Sequence, residues 1–446
     1  MITIPNANLL VSFVISTHNR RKVLLNTLAS LYLCGLTRDA FEILLVDNAS
    51  SDGTCEAVER EFPHVFVLPQ KKNRGSCAKN LALPLARGRY VVFLDDDSYP
   101  RYGSIARMIR HFDADRDLGA AVFAVHLPDG SAECSAYPDV FIGCGTGFRR
   151  TALVEVGGLP DDFFMQAEEY DLSLRLLDAG WIVQRFDDLH VVHLKSPTAR
   201  RPRRVMRLDV RNNLIVTRRY FPQHWIRPFA RDWMSRYYKI AASKKQRISF
   251  FAGAIHGFVA SSWPSRRKPI SDAAFEAFAK INEIRGRLAI AQEVLDLKSV
   301  IFVDLGKNVL VYWMAARDLG IEVVAIADQN LGAASGKRAR KYRGVPIVDD
   351  TEAQTYAADA VVIANLSPVH AQARRRDWRA IAHRPVVDLF ELGQPWTEDL
   401  RTEDLGTEDF GPEDLRTESF AIADRSISGA AGPAASEFRQ TVARSA

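Results

Sequence analysis

Near-continuous apolar runs alternate with amphipathic ones along the first two hundred residues. Leu9 to Ser16 (LLVSFVIS) reads as a buried strand. Arg21 to Leu33 follows as a helix, with Leu24, Leu25, Leu28 and Leu31 at helical spacing. Phe41–Val46, Val65–Leu68 and Tyr90–Leu94 read as further strands. Thr54–Glu61 and Cys77–Ala86 read as helices, the second closed by Arg87-Gly88. This alternation predicts an α/β fold built on a doubly wound, mainly parallel sheet. Ligands of such sheets bind beyond the carboxyl ends of the strands. The polar clusters Thr17–Asn19, Asp47–Ser50 and Asp95–Asp97 all fall there.

Four segments follow from the pattern. Residues 1–220 hold the first α/β unit. Residues 221–297 form a basic, aromatic helical extension, ending in a connecting helix over Ser271–Leu297. Residues 298–392 form a smaller Rossmann-like α/β unit, with strands at Val300–Val303, Val323–Ala327, Ala360–Ile363 and Val386–Asp388 and a helix over about Asn308–Leu319. Residues 393–446 carry a degenerate five-residue repeat (TEDLR, TEDLG, TEDFG, PEDLR, TESFA over Thr397–Ala421). One large apolar residue per acidic repeat cannot build a core, and a period of five matches neither helix nor strand. The tail is expected to be disordered.

The 446 residues are 47% apolar and 25% charged, the balance of an ordinary globular chain and enough to bury a sizeable core. No apolar run is long enough to span a membrane, and Met1–Pro5 lacks the basic-then-apolar pattern of a secretion signal. Five scattered cysteines without a CxxC pair make neither a disulfide frame nor a zinc site. A cytoplasmic location fits. The net charge of +5 is uneven: Lys195–Lys268 holds 19 Lys and Arg against Asp209 and Asp232 alone. Such a block meets phosphate, in an anionic membrane surface or a phosphorylated ligand. Its Trp and Tyr residues suit an interface at the inner face of a membrane. Nucleic acid is not expected, because no recognition motif accompanies the charge.

Asp95-Asp96-Asp97 carries the first chemical signal. Adjacent carboxylates at a strand end repel one another, and a divalent cation held together with substrate phosphate relieves that repulsion. The bland alternative is a solvated acidic turn. In the helix beginning near Glu168-Glu169, Asp171 and Arg175 could be a surface ion pair, or one of the carboxylates could be a general base. His193, after the strand-like Leu189–Val192, could complete a metal site as a neutral imidazole or be structural. Asn73-Arg74-Gly75 and Lys79 place a turn and a cation near the same strand ends, where a diphosphate could sit. Arg74 and Lys79 could equally be solvated.

The order of these motifs resembles family 2 glycosyltransferases of GT-A fold. It runs TxNR (Thr17–Arg20), VDNASSDGT (Val46–Thr54), NRG…KN (Asn73–Asn80), FLDDD (Phe93–Asp97), GxGFRR…GGLPDDFF…EEYDLSLRL (Gly145–Leu176) and VVHLKS (Val191–Ser196), covering about half the chain. The resemblance implies inverting transfer from a nucleoside-diphosphate sugar, UDP- or dTDP-linked, to a glycan, glycolipid or glycosylated metabolite. It assigns Thr17, Asn19 and Asp47 to base and ribose. Arg20, Asn48, Asn73, Gly75, Lys79, Asp95 and Asp96 become further donor-binding positions. Asp97, Asp95 and His193 become ligands of Mg2+ or Mn2+. The base lies among Glu168, Glu169 and Asp171, with Glu169 favoured; a Glu at this position departs from the family's Glu-Asp pair. Arg211-Asn212 resembles the RN pair near the end of many such domains, which suits acceptor-side or core duty.

The second α/β unit faintly resembles the nucleotide-binding N-terminal domain of bacterial sugar acyltransferases. Its first turn, Asp304–Asn308, lacks GxGxxG, and Asp328 stands where a ribose-binding acid could sit. A structural or regulatory role is favoured there. Two rival readings of the whole are a sugar-1-phosphate nucleotidyltransferase, whose GxGxR-type loop is missing after the first strand, and a non-catalytic sugar-nucleotide-binding scaffold.

Overall fold

A computed structural model describes residues 9–195, 201–263, 267–331, 340–395 and 397. The first sheet has nine strands: β1 (Val11–Thr17), β2 (Phe41–Asp47), β3 (Phe66–Pro69), β4 (Tyr90–Asp95), β5 (Ser98–Pro100), β6 (Leu118–His126), β7 (Ala132–Glu133), β8 (Thr146–Arg149) and β9 (Ile182–His193). Their order is β3-β2-β1-β4-β8-β6-β9-β5, with β7 paired on β6. β1 to β4 run parallel, and β8 enters antiparallel between β4 and β6. This bears out the expected α/β fold. Register fixes what matters for function: Thr17 pairs with Asp47, and Ser16 pairs with Asp95. Three polar clusters far apart in sequence therefore end flush on one sheet edge.

Local differences from the sequence reading have physical causes. The Cys77–Ala86 segment forms two 3-10 turns, Gly75–Leu81 and Leu83–Leu85, rather than one α-helix. Pro84 lacks the N–H that a continuing helix needs. The connector over Ser271–Leu297 is two helices, Asp272–Ala279 and Ile281–Leu295, broken at Lys280 with φ +55°. Five further strands of the first sheet follow β4; the apolar run of β6 is buried between β8 and β9, whereas β9 carries exposed polar positions at Gln184, Asp187 and Asp188.

The helical segment comprises Pro202–Tyr220, Gln223–Ser243 and Arg247–Ser261. Beyond the two connector helices lies a second sheet: β10 (Ser299–Val303), β11 (Glu322–Ala327), β12 (Arg340–Tyr342), β13 (Val345–Val348), β14 (Ala360–Ile363) and β15 (Val386–Val387). It is ordered β12-β13-β11-β10-β14-β15 and is parallel except for β12. The acidic repeat, from residue 398 onward, lies outside the described residues.

The two sheets share one apolar core through the helices between them. Trp233 sits at its centre, fully buried, with its ring 6.4 Å from that of Tyr137 and 5.6 Å from that of Phe221. Its indole N–H donates to the carbonyl of Lys307, 2.9 Å away in the first turn of the second unit. Tyr137 donates to the same carbonyl at 3.2 Å, and Tyr342 donates to buried Asp232 at 2.6 Å. That first turn is where a Rossmann unit would meet a nucleotide, and here it is filled by protein. Asp328 is likewise spent, accepting from the backbone N–H groups of Leu305, Asn330 and Leu331. The ribose-binding reading of Asp328 is therefore corrected to a loop-shaping one.

Trp233→Ala should cost about 3–5 kcal/mol by opening a cavity in the shared core. Urea unfolding should still show one transition, with both α/β units lost together. Two separated transitions would mean that the units do not share a core.

Candidate active site

All three adjacent carboxylates are paired with buried or half-buried cations. Lys79, almost wholly buried, donates to Asp95 at 3.0 Å and to the Gly143 carbonyl at 3.0 Å. The solvated reading of Lys79 is thereby corrected. Arg20 bridges the other two carboxylates, bonding Asp96 through one nitrogen and Asp97 through the other at 2.6 Å. Asp96 also accepts from the Thr17 hydroxyl at 2.7 Å. Burial pushes the Asp96 carboxyl up to about 7, against the pull of Arg20 and Thr17. Asp96 thus ties β1 to β4 from inside, while Asp95 faces the cleft. The acidic run is not a solvated turn.

His193, at the end of β9, stands 3.4 Å from Asp97 through Nε2. Its Nδ1 lies 2.7 Å from a carboxylate oxygen of Glu133, on β7. Burial alone would lower the imidazole's pKa; hydrogen bonds to Asp97, Cys144 and Glu133 raise it to about 12. These bonds favour the protonated ring, whereas the neutral imidazole expected from the sequence is the form that metal ligation would require. A metal ion between these groups would take the proton's place. Glu133 is itself held near 2 by His193 and Lys195, although burial opposes this. An imidazole fixed by a carboxylate on its far nitrogen is the usual outer-shell support of a metal-ligating histidine. Glu133 escaped the sequence reading because it lies sixty residues before His193, on a two-residue strand.

The metal-capable grouping differs in one member from the expected set. Ligand atoms of Asp95, Cys144 and His193 lie within 4.8 Å of one another. Burial raises the Cys144 thiol, so it stays protonated and acts as a wall. Carboxylate oxygens with one imidazole form a donor set that fits Mn2+ or Mg2+.

Residues that the resemblance assigns to the donor form a continuous lip of the cleft. Asn48 donates to the Gly75 carbonyl at 3.1 Å and accepts from the Arg74 N–H at 3.1 Å. Asn73 accepts from the Gly75 N–H at 2.8 Å. Gly75, at φ +71°, lies so close to Phe164 that a Cβ would stand 1.8 Å from its carbonyl oxygen. No other residue fits. Asn19, also at positive φ, accepts from the Ser51 N–H at 2.7 Å. Asp47 accepts from the Ser50 N–H, and its other oxygen is buried without a protein partner. That orphan acceptor suits an N–H donor of a ligand.

Opposite the metal-capable groups, Gln166 and Ala167 both adopt left-handed φ just before the helix Glu168–Asp178. Strain of this kind persists only where the surroundings enforce it. Asn212 enforces it, donating to the carbonyls of Met165 (2.9 Å) and Gln166 (2.7 Å). The Arg211-Asn212 pair thus shapes the turn that presents Glu168 and Glu169. Glu168 bonds the Ser76 hydroxyl, and its second oxygen is buried and unpartnered. Burial, then the neighbouring Glu168, pushes Glu169 up to about 8. Both line the cleft.

Asp171 does not. It is fully buried, bonded by Arg175 (2.7 Å), Tyr220 (2.7 Å) and Arg219 (3.3 Å). Asp171 and Arg175 are a buried structural pair, not the surface pair expected.

The far wall comes from the second α/β unit. Lys307 enters the cleft with Nζ 2.7 Å from Asn213 Oδ1 and 4.0 Å above the Tyr170 ring. Burial lowers its ammonium to about 7, against the attraction of Asp209. His370 and Arg376, on the helix Pro368–Ile381, line the same cleft.

Residues 12–157 match glycosyl transferase family 2. The match spans the sheet edge that carries the carboxylates, and it bears out the expectation of a glycosyltransferase domain in the N-terminal part of the chain. Among curated relatives, the uncharacterized glycosyltransferase YfnE of Bacillus subtilis is 32% identical over 111 residues, 24% of this chain and 28% of that protein. The N-acetylglucosaminyl-diphospho-decaprenol L-rhamnosyltransferase of Mycobacterium tuberculosis is 26% identical over 220 residues, 38% of this chain and 71% of that protein. Residues 1–349 of Staphylococcus aureus TarS, solved with UDP-GlcNAc, superpose with a TM-score of 0.44 at 15% identity, over 70% of this chain and 93% of that one. The chain spans less than a third of the length of the first relatives it matches.

Asp171→Asn should lower stability by roughly 3 kcal/mol, because it unbalances a buried ion-pair cluster. Chemical denaturation checks this. Unchanged stability with lost turnover would instead return Asp171 to the list of bases.

Proposed function

We propose that the chain is a metal-dependent, inverting glycosyltransferase that moves a sugar from a nucleoside-diphosphate donor to a hydroxyl acceptor. The observation that carries this reading is the meeting, in one cleft, of the Asp95–His193 cluster and a carboxylate, Glu169, held by a strained turn. The donor is UDP- or dTDP-linked, with Thr17, Asn19 and the unpartnered Asp47 oxygen on the nucleoside side. Asn48 and Asn73 shape the Gly75 turn beside it. The acceptor is a glycan, glycolipid or glycosylated metabolite reached from the cytoplasmic side, with residues 195–268 contacting the membrane surface.

Asp95, Asp97 and His193 would hold Mg2+ or Mn2+, which when bound neutralises charge on the departing diphosphate. Lys79 acts one step back: buried against Asp95, it sets that carboxylate's position and adds positive potential. Glu169 takes the proton from the acceptor hydroxyl as the oxygen attacks the anomeric carbon. The anomeric C–O bond to the diphosphate breaks on the opposite face, and configuration inverts in a single displacement. No enzyme nucleophile is needed. Lys307 and the orphan oxygen of Glu168 stand beside this path and fix the field around the base. The similarity of the second unit to acyltransferase N-terminal domains stays a proposal about ancestry, with a structural role here.

Glu169→Gln should lower turnover by about 10²- to 10⁴-fold, while the melting-temperature rise caused by Mn2+ and nucleoside diphosphate survives. Asp97→Ala should lose that rise. A Glu169→Gln variant with full turnover sinks the base assignment. As a base Glu169 must be ionised, and it is held protonated below about 8. The kcat/KM profile should therefore climb with pH and level off above that value. A profile flat from pH 6 to 9 would contradict this.

A further inference from the structure

Helix Arg247–Ser261 has one face seated and one bare. Phe250, Gly253, Gly257 and Ala260 are buried. The glycines allow close seating: a Cβ would lie 2.5 Å from the Arg207 carbonyl oxygen at Gly253 and 2.8 Å from that of Arg211 at Gly257. The outer face is inverted relative to a solvated helix. Ile248 is 88% exposed and Ile255 66%, with Phe251, Phe258 and Val259 all more than half exposed between and beyond them. Trp263, just past the helix end, is 64% exposed. Helical spacing merges these side chains into one apolar stripe, larger than scattered surface apolar residues explain.

Charge around the stripe selects what covers it. Lys244, Lys245 and Arg247 stand at its N-terminal end, Arg207 alongside and Lys268 beyond. None of these makes an ion pair among the described residues. No acidic residue occurs between Asp232 and Asp272. A second copy of the chain would bring the same cations against these. An apolar face rimmed by cations, with a Trp at its end, matches the boundary of an anionic bilayer. No helix among the described residues is long and apolar enough to cross a membrane, so contact would be in the surface plane.

The stripe also bears on the cleft. The helix Pro202–Tyr220 supports the stripe helix through Arg207, Val210 and Arg211, while its Arg204, Asp209 and Asn213 line the cleft. One helix therefore separates the stripe helix from the cleft lining, at the spacing of about 8–10 Å usual for packed helices.

We propose that the bare face of helix Arg247–Ser261 docks in the plane of an anionic lipid bilayer and brings the Arg201–Arg204 rim of the cleft to headgroup level. The acceptor is then a saccharide carried on a membrane lipid; this consequence, unlike the docking, rests on the glycosyltransferase reading.

The test is co-sedimentation of the full chain with phosphatidylcholine vesicles, with and without phosphatidylglycerol, in the absence of donor and metal. Binding should require phosphatidylglycerol and weaken with salt. The double variant Phe251→Ser/Ile255→Ser should bind about tenfold less, with an unchanged melting temperature and an unchanged response to nucleoside diphosphate. Equal binding by that variant, or no binding to either vesicle, would overturn the proposal. So would a dimer that the variant dissociates, or binding that appears only after removal of residues 398–446. Vesicle binding without nucleotide response would leave the docking standing and sink the glycosyltransferase reading alone.

Discussion

Three carboxylates at consecutive positions cannot share a strand end unless positive charge is built in with them. Two like charges 4 Å apart repel by about 4 kcal/mol near a protein surface. Much of the N-terminal architecture answers that constraint. Lys79 is drawn under Asp95 by the 3-10 turns that replace a helix. Arg20 is placed between Asp96 and Asp97 by the sharp exit from β1. His193 is brought to Asp97 by the last residue of β9. These cations neutralise the run in different ways. Arg20 and Asp96 are locked inside, whereas Asp95, Asp97 and His193 stay where an incoming cation can displace a proton.

The second α/β unit takes part in the same construction. Its first turn is not a nucleotide site, because Trp233, Tyr137 and Asn213 already occupy the turn's polar groups. That turn instead delivers Lys307 beside Tyr170, and Asn308 grips the Ala136 carbonyl at 3.0 Å. The segment gripped there begins three residues after Glu133, which orients His193. The unit therefore supports both the Glu168–Glu169 side and the metal-capable side of the cleft, which accounts for a Rossmann-like topology without a nucleotide fingerprint.

Much of this was legible in the residues. Continuous apolar runs marked β1, β2, β4 and β10, because strands buried on both faces have no polar positions to confuse the period. The strand-end clusters were legible for the same reason, since polar residues directly after such runs must lie at a sheet edge. Glu133 and Cys144 were not legible, because β7 and the 141–145 loop gain meaning only through pairing with β6 and β9. Asp171 misled because an acid four residues before an arginine looks alike on a solvated and a buried helix face. The stripe on helix Arg247–Ser261 was hidden too. Its sequence shows apolar residues all round, and only packing reveals that the small ones face inward.

The claim on which the account turns is that the Asp95–His193 cluster is a metal site shared with a nucleoside diphosphate. Titration of Mn2+ followed by electron paramagnetic resonance, with UDP and then dTDP, addresses it directly. The account predicts that one of these nucleotides sharply increases the bound fraction of Mn2+, and that Asp95→Asn or His193→Gln returns it to the protein-free value. A free-ion spectrum with both nucleotides, or binding that those substitutions leave untouched, would contradict it.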